Sequence, residues 1–250
     1  MARLDAATGA LVQGLDVGSF TEGEGLDVAA GEGQVFVSGE HGELVNQTGF
    51  LAALAPDHAG DLQLAWSRDV EGTRSNGVTV ELTGVVVSQG SFSVRRHGLA
   101  RYDFMGDLQW EWLRTTGPDN ASQVVGLGGR GDALYVAAML DGDAVVAPAV
   151  DDAIGMFAPL VSESGSGSGD DATQVVRVLP DGSIAAGYLV GQTTGRDAWI
   201  ARFALDGAQR WSRVFDGGSN DRDEIEDVGV LDDGDVVAVG MLGVVRLAPG

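Results

Sequence analysis

Carboxylates are where this sequence concentrates its chemistry. Asp216, Asp221, Asp223, Glu224, Glu226 and Asp227 crowd one stretch, Asp170 and Asp171 a second, and Asp232, Asp233 and Asp235 a third. Hard cations such as calcium take about six to eight oxygen ligands, and carboxylates spaced along a loop can supply them. None of the three stretches has the spacing of a calcium-binding loop, so solvated acidic turns are the plainer reading. Calcium stays open as a ligand, and no other cofactor is expected. His41, His58 and His97 fall in polar connections without a spacing that suggests a shared metal, and are read as surface loop residues. Cysteine and lysine are absent, which excludes thiolate and lysine chemistry, and no Ser-His-Asp arrangement stands out. Gly126-Leu127-Gly128-Gly129-Arg130-Gly131 has the spacing of a dinucleotide-binding turn, but Leu134-Tyr135-Val136 continues as a strand where that motif needs a helix. A hairpin turn is the better reading.

Charge narrows the partners. The sequence has 15 basic and 37 acidic residues, a formal net charge of −22. Such a surface repels phosphate backbones and anionic lipid heads, so nucleic acid is not expected as a partner. No apolar run approaches the roughly 18 residues of a membrane span, and Met1-Ala2-Arg3-Leu4-Asp5 lacks the apolar run of a signal peptide. A monomer with no membrane insertion is expected, its partner a protein or glycan of unknown identity.

The elements that must position any of these residues are short strands, because 39 glycines among 250 residues suit tight turns better than long helices. Five hairpins recur. They pair Leu26–Ala30 with Gln34–Gly39, Val78–Leu82 with Val85–Gly90, Val124–Leu127 with Leu134–Ala138, Val175–Leu179 with Ser183–Gly187, and Val228–Leu231 with Asp235–Gly240. The turns between them carry Gly, Asp, Glu or Thr, and Gly and Asp tolerate the positive φ of a tight hairpin. A third strand follows at Phe50–Leu54, Leu99–Tyr102 and Trp199–Phe203, and a tryptophan-bearing fourth at Leu62–Arg68, Leu108–Trp112 and Arg210–Phe215. Trp66, Trp110, Trp112, Trp199 and Trp211 all stand at strand positions and are read as packing between sheets.

Four antiparallel strands in each repeat describe a propeller blade. The expected fold is an all-β propeller of about five four-stranded blades, one domain over residues 1–250. Met1–Asp5 repeats the third-strand pattern and Ala10–Gln13 the fourth, while Val244–Ala248 repeats the third again. Residues 1–18 and 219–250 are therefore expected to share one blade and close the ring. Internal blades are expected at 19–72, 73–117, 118–169 and 170–218. The blade at 118–169 is irregular and reads as lacking its fourth strand, and the low-complexity stretch 162–171 reads as a mobile loop.

The unit running from Asp197-Ala198-Trp199-Ile200-Ala201-Arg202-Phe203 through Gly217-Gly218-Ser219-Asn220-Asp221 to Val236-Val237-Ala238-Val239-Gly240 resembles bacterial β-propeller repeats of the SBBP type. Asp5-Ala6-Ala7-Thr8-Gly9 is similar to a turn of quinoprotein propeller repeats. The first resemblance implies a secreted or surface-associated bacterial protein, placed outside the cytoplasm, with no enzymatic residues to carry over.

The first strand of a propeller blade lines the central channel. The residues preceding its leading valine include Asp27, Gln123, Gln174 and Asp227, which become the candidate polar or cation site at the channel mouth. On this reading the protein is a rigid, non-catalytic binding or structural module and not an enzyme. The alternatives are a calcium-stabilised carbohydrate-binding or adhesive module, a quinoprotein-like or hydrolytic propeller enzyme, and an excised or engineered propeller without a ligand.

Overall fold

In a computed structural model of the protein, the described residues are 2–4, 11–14, 23–42, 47–70, 75–91, 96–115, 123–130, 133–140, 143–149, 161–163, 171–190, 195–216 and 222–248. They contain strands and turns but no helix, and therefore no helix long and apolar enough to cross a membrane. The molecule divides into two compact units, residues 1–113 and 114–250.

The first unit opens with β1 (Ala2–Leu4) and β2 (Leu11–Gly14), paired as a two-stranded sheet. A four-stranded meander follows, formed by β3 (Gly23–Gly31), β4 (Gln34–His41), β5 (Thr48–Pro56) and β6 (Leu62–Val70). A second meander comprises β7 (Val78–Glu81), β8 (Gly84–Ser91), β9 (Arg96–Tyr102) and β10 (Leu108–Thr115). These two sheets meet through Phe36, Leu51, Ala53 and Val70 on one side and Val78, Val85, Val87, Ala100 and Tyr102 on the other. Removing a side chain the size of Phe36 from water contributes about 1.5–3 kcal/mol, which makes this face the main cohesive surface of the pair.

Trp66 seals the edge of that contact. Its indole packs 6.0 Å from the Phe36 ring, and Nε1 donates to the Phe104 carbonyl at 3.0 Å. Arg68 Nε donates to the Gly106 carbonyl at 2.9 Å. The β9–β10 turn can receive both donors because Asp103 Oδ1 accepts from the Met105 and Asp107 amides, which fixes the turn around Gly106 at φ +85°.

The second unit contains three sheets. The first is β11 (Gln123–Arg130), β12 (Ala133–Leu140), β13 (Asp143–Ala149) and β14 (Val161–Glu163). The second is β15 (Ala172–Leu179), β16 (Gly182–Val190), β17 (Arg196–Ala204) and β18 (Gln209–Phe215). The third has three strands, β19 (Ile225–Val230), β20 (Val236–Gly240) and β21 (Gly243–Leu247). The middle sheet is buried on both faces, as period-two alternation allows. Ile184 and Ala186 of β16 pack toward Val228, Val236 and Ala238, while Ala185 joins Trp199, Phe203, Ala137 and Val146.

All five expected hairpins are present as β3–β4, β7–β8, β11–β12, β15–β16 and β19–β20. The blade read as lacking a fourth strand has one: β14 pairs antiparallel with β13, from Ala144 opposite Glu163 to Val146 opposite Val161. It carries no tryptophan, which is why the sequence pattern hid it. The loop reading at 162–171 falls largely on residues outside those described. His97 is also corrected. It belongs to β9 opposite Gly90, is fully buried, and meets Trp112 edge-on with ring centroids 5.9 Å apart. His41 ends β4, with Nε2 3.0 Å from Asp69 Oδ1, and His58 is exposed in the β5–β6 turn.

The described pairings form separate open sheets, and a ring closed by the termini is not among them. Val244–Leu247 take the third-strand place beside β20, with Val236 opposite Leu247.

Four first strands share a further device. Their ladders slip by one residue between Gly25 and Asp27, Val124 and Gly126, Thr173 and Val175, and Ile225 and Asp227. A bulge of this kind sharpens twist and re-aims the side chains that follow it.

Candidate functional site

The two ends of the β15–β18 sheet differ. Tight turns at Pro180–Asp181 and Leu205–Ala208 close one end. The opposite end gathers the start of β15, the end of β16, the start of β17, the end of β18 and the approach to β19. There three carboxylates converge.

Asp197 is the second residue of β17, Asp216 follows β18, and Asp223 precedes β19. Antiparallel pairing places Ala198 opposite Phe215, which sets Asp197 beside Asp216. The Asp223 amide donates to the Arg196 carbonyl at 2.9 Å and draws the third carboxylate in. One oxygen from each of the three lies within 4.8 Å of the others. Asp223 is buried, Asp197 half-buried and Asp216 exposed, so the group runs from the protein interior to solvent.

Arginines precede two of the three in sequence, and both pair with Glu224. The Arg196 guanidinium lies 4.0 Å from the Tyr188 ring centroid, a cation–π distance, and Nη1 is 3.3 Å from Glu224 Oε2. Arg222 Nη2 is 3.4 Å from the same Glu224 oxygen. Buried Asp171 accepts from the Val190 amide at 2.5 Å through Oδ1, which anchors the end of β16. Chemically, the arrangement offers three converging carboxylates for a divalent cation or for water.

The residues singled out from the sequence sit elsewhere. Asp27 and Asp227 each follow a bulged position, Gln174 is itself the bulged residue of β15, and Gln123 opens β11 opposite Met139. Asp27 Oδ1 accepts from the Val28 amide at 2.8 Å and Oδ2 from the Val78 amide at 2.9 Å. Asp227 Oδ1 accepts from Val228 N at 2.8 Å and from Arg177 Nη2 at 2.6 Å. Sequence reading noted Asp216, Asp223 and Asp171 as acidic stretches and passed over Asp197. The signal that finds it is the antiparallel return of β18, which brings the residue after the fourth strand beside the start of the third.

No family model and no curated protein matches the sequence. Solved structures do. A proposed 6-phosphogluconolactonase from Bacteroides uniformis aligns with 100% of this chain and 78% of its own, at a TM-score of 0.60 and 17% identity. A protein from Lactobacillus plantarum aligns with 98% of this chain and 76% of its own, at 0.57 and 12%. A second proposed 6-phosphogluconolactonase, from Bacteroides fragilis, covers 99% of this chain and 90% of its own, at 0.52 and 10%. At these identities the likeness is one of fold, an all-β architecture of propeller type. It nevertheless corrects the expectation of a non-catalytic module that is not an enzyme. That reading took a propeller with no recognisable catalytic motif for a passive scaffold, whereas proteins named as lactonases share this architecture along the whole length of the sequence.

Proposed function

We propose that the protein is a hydrolytic propeller enzyme whose working groups are the carboxylates at the end of the β15–β18 sheet opposite its tight turns. The approach of Asp197, Asp216 and Asp223 carries the reading. Three anionic groups at that spacing suit a divalent cation, which would polarise a carbonyl or a bound water for attack. Asp216, the exposed member, is placed to meet substrate and accept a proton from water, while buried Asp223 holds the group together. The names of the similar structures make sugar lactones the first substrate class to try. The finer fold expectation belongs to the same proposal: SBBP-like repeats closed into a ring by the termini, supported by the third- and fourth-strand patterns at residues 1–13.

The test is an assay of the purified protein on sugar lactones and aryl glycosides with calcium, magnesium or a chelator, beside Asp197→Asn and Asp223→Asn. Turnover falling about 100-fold or more in variants that still melt like the parent is the expected result. Variants that keep the parent's turnover defeat the reading.

A further inference from the structure

We propose that Asn76 is a site of spontaneous deamidation which the folded protein holds closed through Ser88. Of the four asparagines, Asn46, Asn76, Asn120 and Asn220, Asn76 alone is followed by glycine. A glycine there sets no side chain against the approach of its own backbone nitrogen to the preceding side-chain amide. In the reaction the Gly77 nitrogen gives up its proton and bonds to Cγ of Asn76. The bond from Cγ to the amide Nδ2 breaks, that nitrogen leaves as ammonia with the proton, and a five-membered imide remains. Water then opens the imide at either carbonyl, leaving aspartate or its β-linked isomer. Nothing is oxidised or reduced, and water is the one co-reactant.

The structure holds the attacking atom in place. Gly77 N donates to Ser88 Oγ at 2.8 Å, and the Gly77 carbonyl accepts from Ser88 N at 2.9 Å. On the other side of Asn76, Ser75 Oγ donates to the Ser88 carbonyl at 2.9 Å. Both serines are fully buried. Three bonds from one residue therefore fix the backbone on either side of Asn76. Attack needs the Gly77 N–H released from its acceptor and the Asn76–Gly77 link rotated toward the side chain, and both motions break bonds to Ser88. Asn76 itself is half-buried, so water can reach the imide once it forms.

The product would act on the joint between two sheets. Two residues on, the Val78 amide is held by Asp27 Oδ2. A carboxylate at position 76 adds a like charge near that bond, and the β-linked isomer lengthens the backbone just ahead of β7. Deamidation thus records how often the start of β7 comes away from β8, and each event weakens its return.

The experiment follows Asn76 by peptide mapping during incubation of the full-length protein at mildly alkaline pH, in buffer and in urea, for the parent and Ser88→Ala. Conversion is expected to be severalfold faster in Ser88→Ala than in the parent, with circular dichroism still that of the fold, and fastest in urea. Ser75→Ala, which removes one of the three bonds, replaces Ser88→Ala if the latter fails to fold, with the same severalfold acceleration expected. The proposal is overturned if the parent converts as fast folded as in urea, or if the folded serine variant converts no faster than the parent.

Discussion

Asp27 reaches across two sheets to the backbone amide of Val78, which it holds at 2.9 Å while also capping the amide of Val28. The carboxylate therefore joins β3 to β7 through bonds that no apolar contact replaces. Asp27→Ala is expected to lower stability by about 1–2 kcal/mol, read in urea melts, because two amides lose a charged acceptor. Asp227→Ala loses an ion pair with half-exposed Arg177 in place of the second amide, so the smaller loss, under about 1 kcal/mol, is expected there. Equal effects at the two positions would contradict the assignment of Asp27 as an inter-sheet cap.

Two turn glycines separate backbone strain from crowding. Gly60 and Gly106 have φ of +84° and +85°, but a Cβ on Gly60 meets nothing within 4 Å, whereas one on Gly106 would sit 2.8 Å from the Trp66 indole. Gly60→Ala should cost about 1 kcal/mol for the backbone alone. Gly106→Ala should cost about 1–3 kcal/mol more and shift tryptophan fluorescence, since Trp66 must leave its seat against Phe104.

Asp181 sits between two guanidiniums, with Arg210 Nη1 at 2.5 Å and Arg202 Nη2 at 3.1 Å from Oδ2. The hydrogen bond from Arg210 above all, with help from Arg202, holds its carboxyl below the ordinary value of 3.8. A depressed carboxylate stabilises the fold above the unfolded value, and that contribution disappears as pH falls through the folded one. The melting difference between the parent and Asp181→Asn should therefore be constant from neutral pH down toward 3.8 and vanish below it. A difference that persists in strong acid would show that the two arginines do not act through charge.

Tyr102 is displaced in the opposite sense. Burial, and then the negative charge of Glu111, push its phenol above 10.0, partly offset by Arg68. The folded state keeps a proton that the unfolded state releases, so this residue's share of stability is intact below pH 10.0 and lost as pH rises beyond it. Ultraviolet titration of the protein should show a late phenolate that Tyr102→Phe removes. A titration curve unchanged by that substitution would place the late proton elsewhere.

Much of the fold was legible in the sequence because its signals are local. The Val85–Val87 run of β8 and the Asp-Gly turns at 181–182 and 233–234 act over a few residues, and the hairpins they specify are the ones observed. β14 escaped notice because it is three residues long and has no tryptophan to announce it. His97 was misplaced because its neighbours are polar, although its strand pairing buries it against Trp112.

By itself, then, the sequence determined an all-β repeat, its hairpins and their turns, since backbone propensity and turn chemistry are settled within a few bonds. The tertiary structure alone decided that Asp197, Asp216 and Asp223 share one place, that Asp27 serves a partner 51 residues away, and that Ser88 guards Asn76. Those meetings depend on strand register and on bulges that shift it by one residue. A single-residue slip reverses which face a side chain occupies, and which strand a distant segment pairs with is fixed by packing between sheets rather than by the residues beside it.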